Sequence, residues 1–259
     1  MQAFFNAVRT GCIERLHQLV DARANLESRD GHGNTALILA VANGRMQCAQ
    51  LLVNAGADVE AKNKDGDTAL LRAVRQDHAE CLQLLIDAHA DVEAEIRDGS
   101  SALILAAANG RTECVQRLIN AGANIETRDG DGDTALLWAV FMDDVESVQL
   151  LVDANADVNA KNFSGSSALI SAAVNGRTQC AQRLVNAKAD IEARNARGRT
   201  TLLCAAAAGS TECVQLLVGA KATLDAVDSS GNTALMLAAG QRNSACVRLL
   251  LELMTAFSA

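Results

Sequence analysis

An all-α solenoid, built from helix–turn–helix units with projecting turns, is the fold this sequence predicts. Three observations point to it. A Thr/Ser-x-Leu anchor recurs every 33 residues, at Thr35, Thr68, Ser101, Thr134, Ser167, Thr200 and Thr233, with no insertion or deletion. A glycine recurs two residues before each anchor, from Gly33 to Gly231. Each unit also carries two short apolar segments at helical spacing, parted by a tight turn. Periods of 20–50 residues mark arrays in which each unit buries its apolar face only against its neighbours.

The founding unit spans residues 30–62, and each of its elements has a local cause. Thr35 precedes the run Ala36–Ala42 and can cap a first helix through its hydroxyl. Asn43-Gly44 ends that helix, because glycine adopts the left-handed conformation at low cost. A second helix begins at Arg45 and Met46, carries Cys48, Ala49, Leu51, Leu52 and Val53 at helical spacing, and stops at Gly56. The polar, Gly/Asp-rich remainder reads as an extended turn. Neither short helix is stable alone, so stacking supplies the stability.

The units are residues 30–62, 63–95, 96–128, 129–161, 162–194 and 195–227, with 228–259 as the C-terminal repeat. Residues 1–29 read as a degenerate N-terminal capping repeat. The unbroken period makes residues 1–259 one domain, where length alone would suggest about two. The C-terminal segment, Ser244 to Met254, is more apolar than a solvent-facing cap requires. Burial of Leu249 and Leu250, continuation of the chain, contact with a partner and self-association through this helix are the alternatives.

Composition excludes several function classes. Net charge is −8, so the chain lacks the basic footprint of a general nucleic-acid binder. The N-terminus has no apolar signal region, and no apolar run is long enough to span a membrane. Six of eight cysteines (Cys48, Cys81, Cys114, Cys180, Cys213, Cys246) share one repeat position, where Ser147 substitutes once. Stacked helices lie about 8–10 Å apart, too far for disulfides. These cysteines read as small buried side chains in a reducing, intracellular compartment. The Asn162-Phe-Ser164 sequon is then idle.

No catalytic or metal-ligating set emerges. Asp129-Gly-Asp131-Gly-Asp133 begins like a calcium loop, but Thr134 and Val140 stand where glycine and glutamate are required. Gly130-x-Gly132 lacks the third glycine and the βαβ context of a dinucleotide fingerprint. His17, His32, His78 and His89 lie in different units without a periodic partner. No metal, no cofactor and no enzymatic activity are expected.

A helix–turn–helix plus projecting turn at this period resembles the ankyrin repeat. The family's Asp-x-x-Gly-x-Thr-Pro-Leu-His-x-Ala pattern is met by Asp30, Gly33, Thr35, Leu37 and Ala40. Its Leu-Leu…Gly-Ala-Asp-Val ending is met by Leu51, Leu52, Gly56, Ala57, Asp58 and Val59. Two departures run through the chain. Alanine or threonine replaces the family's proline, as at Ala36, Ala69 and Thr201. Its histidine becomes Ile38, Leu71, Ile104, Leu137, Ile170, Leu203 and Met236, which exchanges a polar network between units for apolar packing. A longer period of 66 is superimposed: Asn-Gly-Arg recurs at 43–45, 109–111 and 175–177. Duplication of a two-repeat block, or engineering, would produce it.

The resemblance implies a protein or peptide partner bound on the concave face formed by turn tips and first helices. Most such positions here are small or polar. The exceptions are Trp138, Phe141 and Met142 late in one first helix, and Phe163 at the following tip. Bulky aromatics mark interface cores; the competing reading is that Trp138 and Phe141 fold down onto a neighbouring helix. Charges complete the expected surface: Arg72 and Arg75, Asp131 and Asp133, and Arg197 and Arg199. Lys62, Arg128, Lys161 and Arg194 also share one position, interrupted by Glu95. A binding scaffold is the first reading. A targeting or regulatory arm of a larger protein or enzyme, or an engineered scaffold, is the second.

Overall fold

A computed structural model describes residues 2–257. They form two compact units that divide between Gly130 and Asp131. The first holds α1 (Gln2–Thr10), α2 (Ile13–Asp21), α3 (Ala36–Ala42), α4 (Met46–Asn54), α5 (Ala69–Arg75), α6 (Ala79–Asp87), α7 (Ala102–Ala108) and α8 (Thr112–Asn120). The second holds α9 (Ala135–Phe141), α10 (Val145–Asp153), α11 (Ala168–Asn175), α12 (Thr178–Asn186), α13 (Thr201–Ala208), α14 (Thr211–Gly219), α15 (Ala234–Gly240) and α16 (Ser244–Phe257). Strand pairing among the described residues is limited to two isolated bridges, Glu95–Ser101 and Lys161–Ser167.

Within each unit odd-numbered helices stack on odd and even on even: α1, α3, α5 and α7 in one row of the first unit, α9, α11, α13 and α15 in one row of the second. The rows are short because their ends are chemically fixed. All seven anchor hydroxyls cap, each accepting the backbone N–H three residues on, as from Thr35 to Ile38 and from Thr200 to Leu203. The anchors are extended (Thr35 at φ −73, ψ 169), which a following proline would also demand. Alanine therefore reaches the same geometry without the ring.

Alanine and leucine fill the core. Close stacking needs small residues in contact with the adjacent helix, and Ala40, Ala73, Ala106, Ala139, Ala172 and Ala205 are all fully buried. The former histidine position joins them: Ile38, Leu71, Ile104, Leu137, Ile170 and Leu203 are at most 4% exposed. Met236, in the last row position, is 58% exposed. The shared cysteine position is buried throughout, and all eight cysteines are free thiols. Burial pushes the Cys114 and Cys180 thiols up to about 12, helped by Asp77 and Asp143 respectively. Ser147, the one polar occupant, donates its hydroxyl to Asp144 at 2.5 Å, which meets the cost of burying it.

The ends differ as their composition suggests. Phe4 and Phe5 are buried in the capping repeat, with ring centroids 6.1 Å apart. In α16 Leu250 is buried, Leu249 half-buried, and Leu251 and Met254 exposed. Burial thus accounts for part of that helix's apolar content, and an apolar strip remains uncovered.

Candidate functional site

The turn tips that frame the site are built by one device. The residue opening each turn accepts the amides two and four positions on: Asp30 from His32 and Asn34, Asn63 from Asp65 and Asp67, Asn162 from Ser164 and Ser166, Asn195 from Arg197 and Arg199, Asp228 from Ser230 and Asn232. Where Ile96 stands instead, Asp98 accepts from Ser100. Consecutive tips are joined by backbone bonds, Phe163 N–H to the Asp131 carbonyl at 3.1 Å and Ser229 N–H to the Arg197 carbonyl at 3.2 Å. Gly132 lies beneath the Phe163 ring at φ +78, a conformation that favours glycine, and a Cβ there would come within 2.8 Å of the ring and push it aside.

The acid-sensitive members of this device yield a prediction. The amides of Asn232 and Ser230, with Arg199, hold the Asp228 carboxyl down to about 2. Burial opposes ionisation of Asp30, yet the Asn34 and His32 amides outweigh it and lower its pKa. The Ser100 hydroxyl and amide lower that of Asp98. A carboxyl depressed in the folded state stabilises above its unfolded value of about 4, and that contribution disappears as pH falls towards its folded value. Denaturation midpoints are therefore expected to stay level from neutral pH to about 5 and to fall between about 4 and 2. The variant D30N/D228N should flatten that fall, because asparagine makes the same bonds without titrating, as Asn63, Asn162 and Asn195 already do. An unchanged acid limb would refute it.

The basic position shared by several units is a staple. Arg194 Nη1 donates to the Val227 carbonyl at 2.7 Å and Lys161 Nζ to the Arg194 carbonyl at 2.9 Å, each reaching the following turn. Arg29 does the same towards Lys62. These side chains hold the tips together, where charge counting alone suggested a surface trend.

In the first unit, Arg72 and Arg75 converge on the buried Asp67 carboxylate at 3.3 and 3.4 Å. Their charge is committed within the unit.

In the second unit, a hollow of about 300 Å³ opens between α9 and α11. Leu137 and Ile170 form its floor and Trp138, Phe141 and Val174 its walls, with Asp133 and Asn162 at the rim. Trp138 is half-buried and meets Phe141 edge-on, centroids 5.7 Å apart and planes at 83°. Phe141 stays 52% exposed, so only part of the pair folds down. A second hollow of about 550 Å³ adjoins it over α13, sharing Ser166 and Val174. Ala207 and Ala208 make it shallow, and Arg197 and Arg199 border it. Arg199 is tied to Asp228 at 3.2 Å. The Arg197 side chain is exposed and enters no ion pair among the described residues.

The expected aromatic set is thus not one cluster. Trp138 and Phe141 form a ridge. Phe163, 77% exposed, sits over the tip at the start of α9, and Met142, 43% exposed, caps its end. About 10 Å of helix separates those two ends. Val174, 48% exposed, was missed; alanine or glycine at the same place in four other units (Ala42, Ala108, Ala207, Gly240) was the available signal.

Among the described residues no group of three or more histidine, cysteine or acidic side chains could hold a metal ion, and no helix is long and apolar enough to cross a membrane. No curated protein sequence matches the chain. Among solved structures it is similar to the ankyrin repeat domain of Bcl-3, described as a unique member of the IkappaB protein family: 33% identity, TM-score 0.76, over 84% of this chain and 98% of that one. The ankyrin-repeat profile matches three times, at residues 4–96, 89–162 and 169–257. The chain belongs to the ankyrin repeat family.

Proposed function

We propose that this chain is a non-catalytic interaction module that binds an extended peptide segment of a partner protein along the groove over α9, α11 and α13. The observation that carries this is the Trp138–Phe141 ridge beside an apolar floor, with Phe141 exposed where four other units carry only Ala42, Ala108, Ala207 or Gly240. Large, rigid aromatics next to a hydrophobic recess are what interface hot spots are made of. Net charge of −8 argues against nucleic acid as the partner. Seven buried free thiols suit a reducing, intracellular compartment such as the cytoplasm.

Trp138 is the sole tryptophan and therefore a built-in reporter. Peptides selected on the immobilised protein from a random display library are expected to shift its emission to shorter wavelength, with the same midpoint as binding measured by calorimetry. Saturation of the protein with no change in emission would place the peptide elsewhere and end this reading.

The uncovered strip of Leu251 and Met254, with Met236, supports a second reading, in which this end packs on more protein, as in an arm of a larger assembly or a self-associated pair. A light-scattering mass that stays monomeric over a wide concentration range would remove self-association.

A further inference from the structure

We infer that the preferred peptide couples a bulky apolar side chain, seated against Trp138 and Phe141, to an acidic side chain that reaches Arg197. This rests on the groove reading above and specifies its ligand. The two hollows adjoin, with Ser166 and Val174 lining both, so one extended chain lying across Val174 can reach into each. The first offers a buried apolar floor, Leu137 and Ile170, that no polar side chain would satisfy. Over the second, the cation at hand is Arg197, since Arg199 already neutralises Asp228.

The rest of the surface sharpens the choice. Asp133, whose carboxylate accepts from the Asn162 amide at 2.8 Å, stands at the opposite, aromatic end of the groove. An acidic residue of the peptide is repelled there and attracted over α13, which fixes one register and one direction of travel from apolar anchor to acidic group. Net charge of −8 disfavours acidic peptides elsewhere on the chain. Stacked helices lie about 8–10 Å apart, and the way from the hollow between α9 and α11 to α13 is about one and a half such spacings. An extended chain advances about 3.3 Å per residue, so the two groups should be about four residues apart.

Selection from a random-peptide display library, on the wild type and on R197E, tests this. The wild type should enrich an apolar residue with aspartate or glutamate at a constant spacing, and R197E should enrich lysine or arginine at that spacing. A synthetic copy of the wild-type consensus should bind R197E about tenfold or more weakly, the effect of losing one charge-assisted hydrogen bond. Its acid-to-lysine counterpart should recover binding on R197E. The neutral R197M should lose the acidic preference without gaining a basic one, and circular dichroism of both variants should match the wild type. Peptides that need Trp138 and Phe141 but are indifferent to Arg197 would overturn this inference and leave the groove reading standing. Peptides indifferent to Trp138 and Phe141, or no enrichment at all, would overturn both.

Discussion

Leu203→Ala is expected to destabilise the protein by about 2–5 kcal/mol, while Met236→Ala, at the same place in the repeat, should cost less than about 1. Leu203 has no exposed surface; its helix, α13, is packed between α11 and α15. Truncation there removes the transfer energy of the lost methyl groups and leaves a cavity that close-stacked alanines cannot collapse to fill. Met236 is 58% exposed because no further helix of the described residues lies over it. Most of its surface is already in water, so its truncation exchanges little. Urea denaturation, read as a change in midpoint at constant m, separates the two. Equal costs would contradict the account of the histidine-to-aliphatic exchange, since that account assigns the energy to stacking rather than to the residue's own helix.

How far the sequence speaks depends on whether a feature belongs to the repeat or departs from it. Helices, caps and turn glycines recur in all seven units and the buried cysteine in six, so each was supported by many local copies of one cause. Met236 shows where that logic ends: its sequence context is that of Leu203, and only the lack of a covering helix makes it different. The site is harder to read because it depends on which residues of separate repeats share a hollow. Trp138 and Phe141 are i,i+3 neighbours on one helix, and their pairing follows from helical spacing. Phe163 and Met142, close in the chain's own pattern, end at opposite ends of α9, which periodicity does not reveal. Arg72 and Arg75 looked like a presented charge; Asp67, one residue before the Thr68 anchor, takes them both. The Arg194 staple likewise depends on a carbonyl one whole repeat away.

Removing the aromatic ridge should abolish most peptide binding while sparing the fold. For W138A/F141A the expected loss is about 2–4 kcal/mol of binding energy, or roughly 30- to 1,000-fold in affinity. Both rings project from α9 beside the hollow, whereas the core of that helix is made by Leu136, Leu137, Ala139 and Val140, all untouched. Phe141 is half in solvent and Trp138 only partly buried, so stability should fall by no more than about 1–2 kcal/mol. Because the double variant lacks the tryptophan reporter, calorimetry or a labelled peptide must supply the affinity. Phe163→Ala is the matched control. Its ring is the most exposed aromatic of the set, yet it rests on the Gly132 tip and lines neither hollow. Exposure alone predicts that F163A is the more damaging change; placement beside the apolar floor predicts that it is nearly silent. A large loss in F163A with little in W138A/F141A would move the binding surface from the groove to the turn tips. The reverse result ties recognition to a place where this repeat array departs from its own template by adding aromatic surface beside an apolar floor.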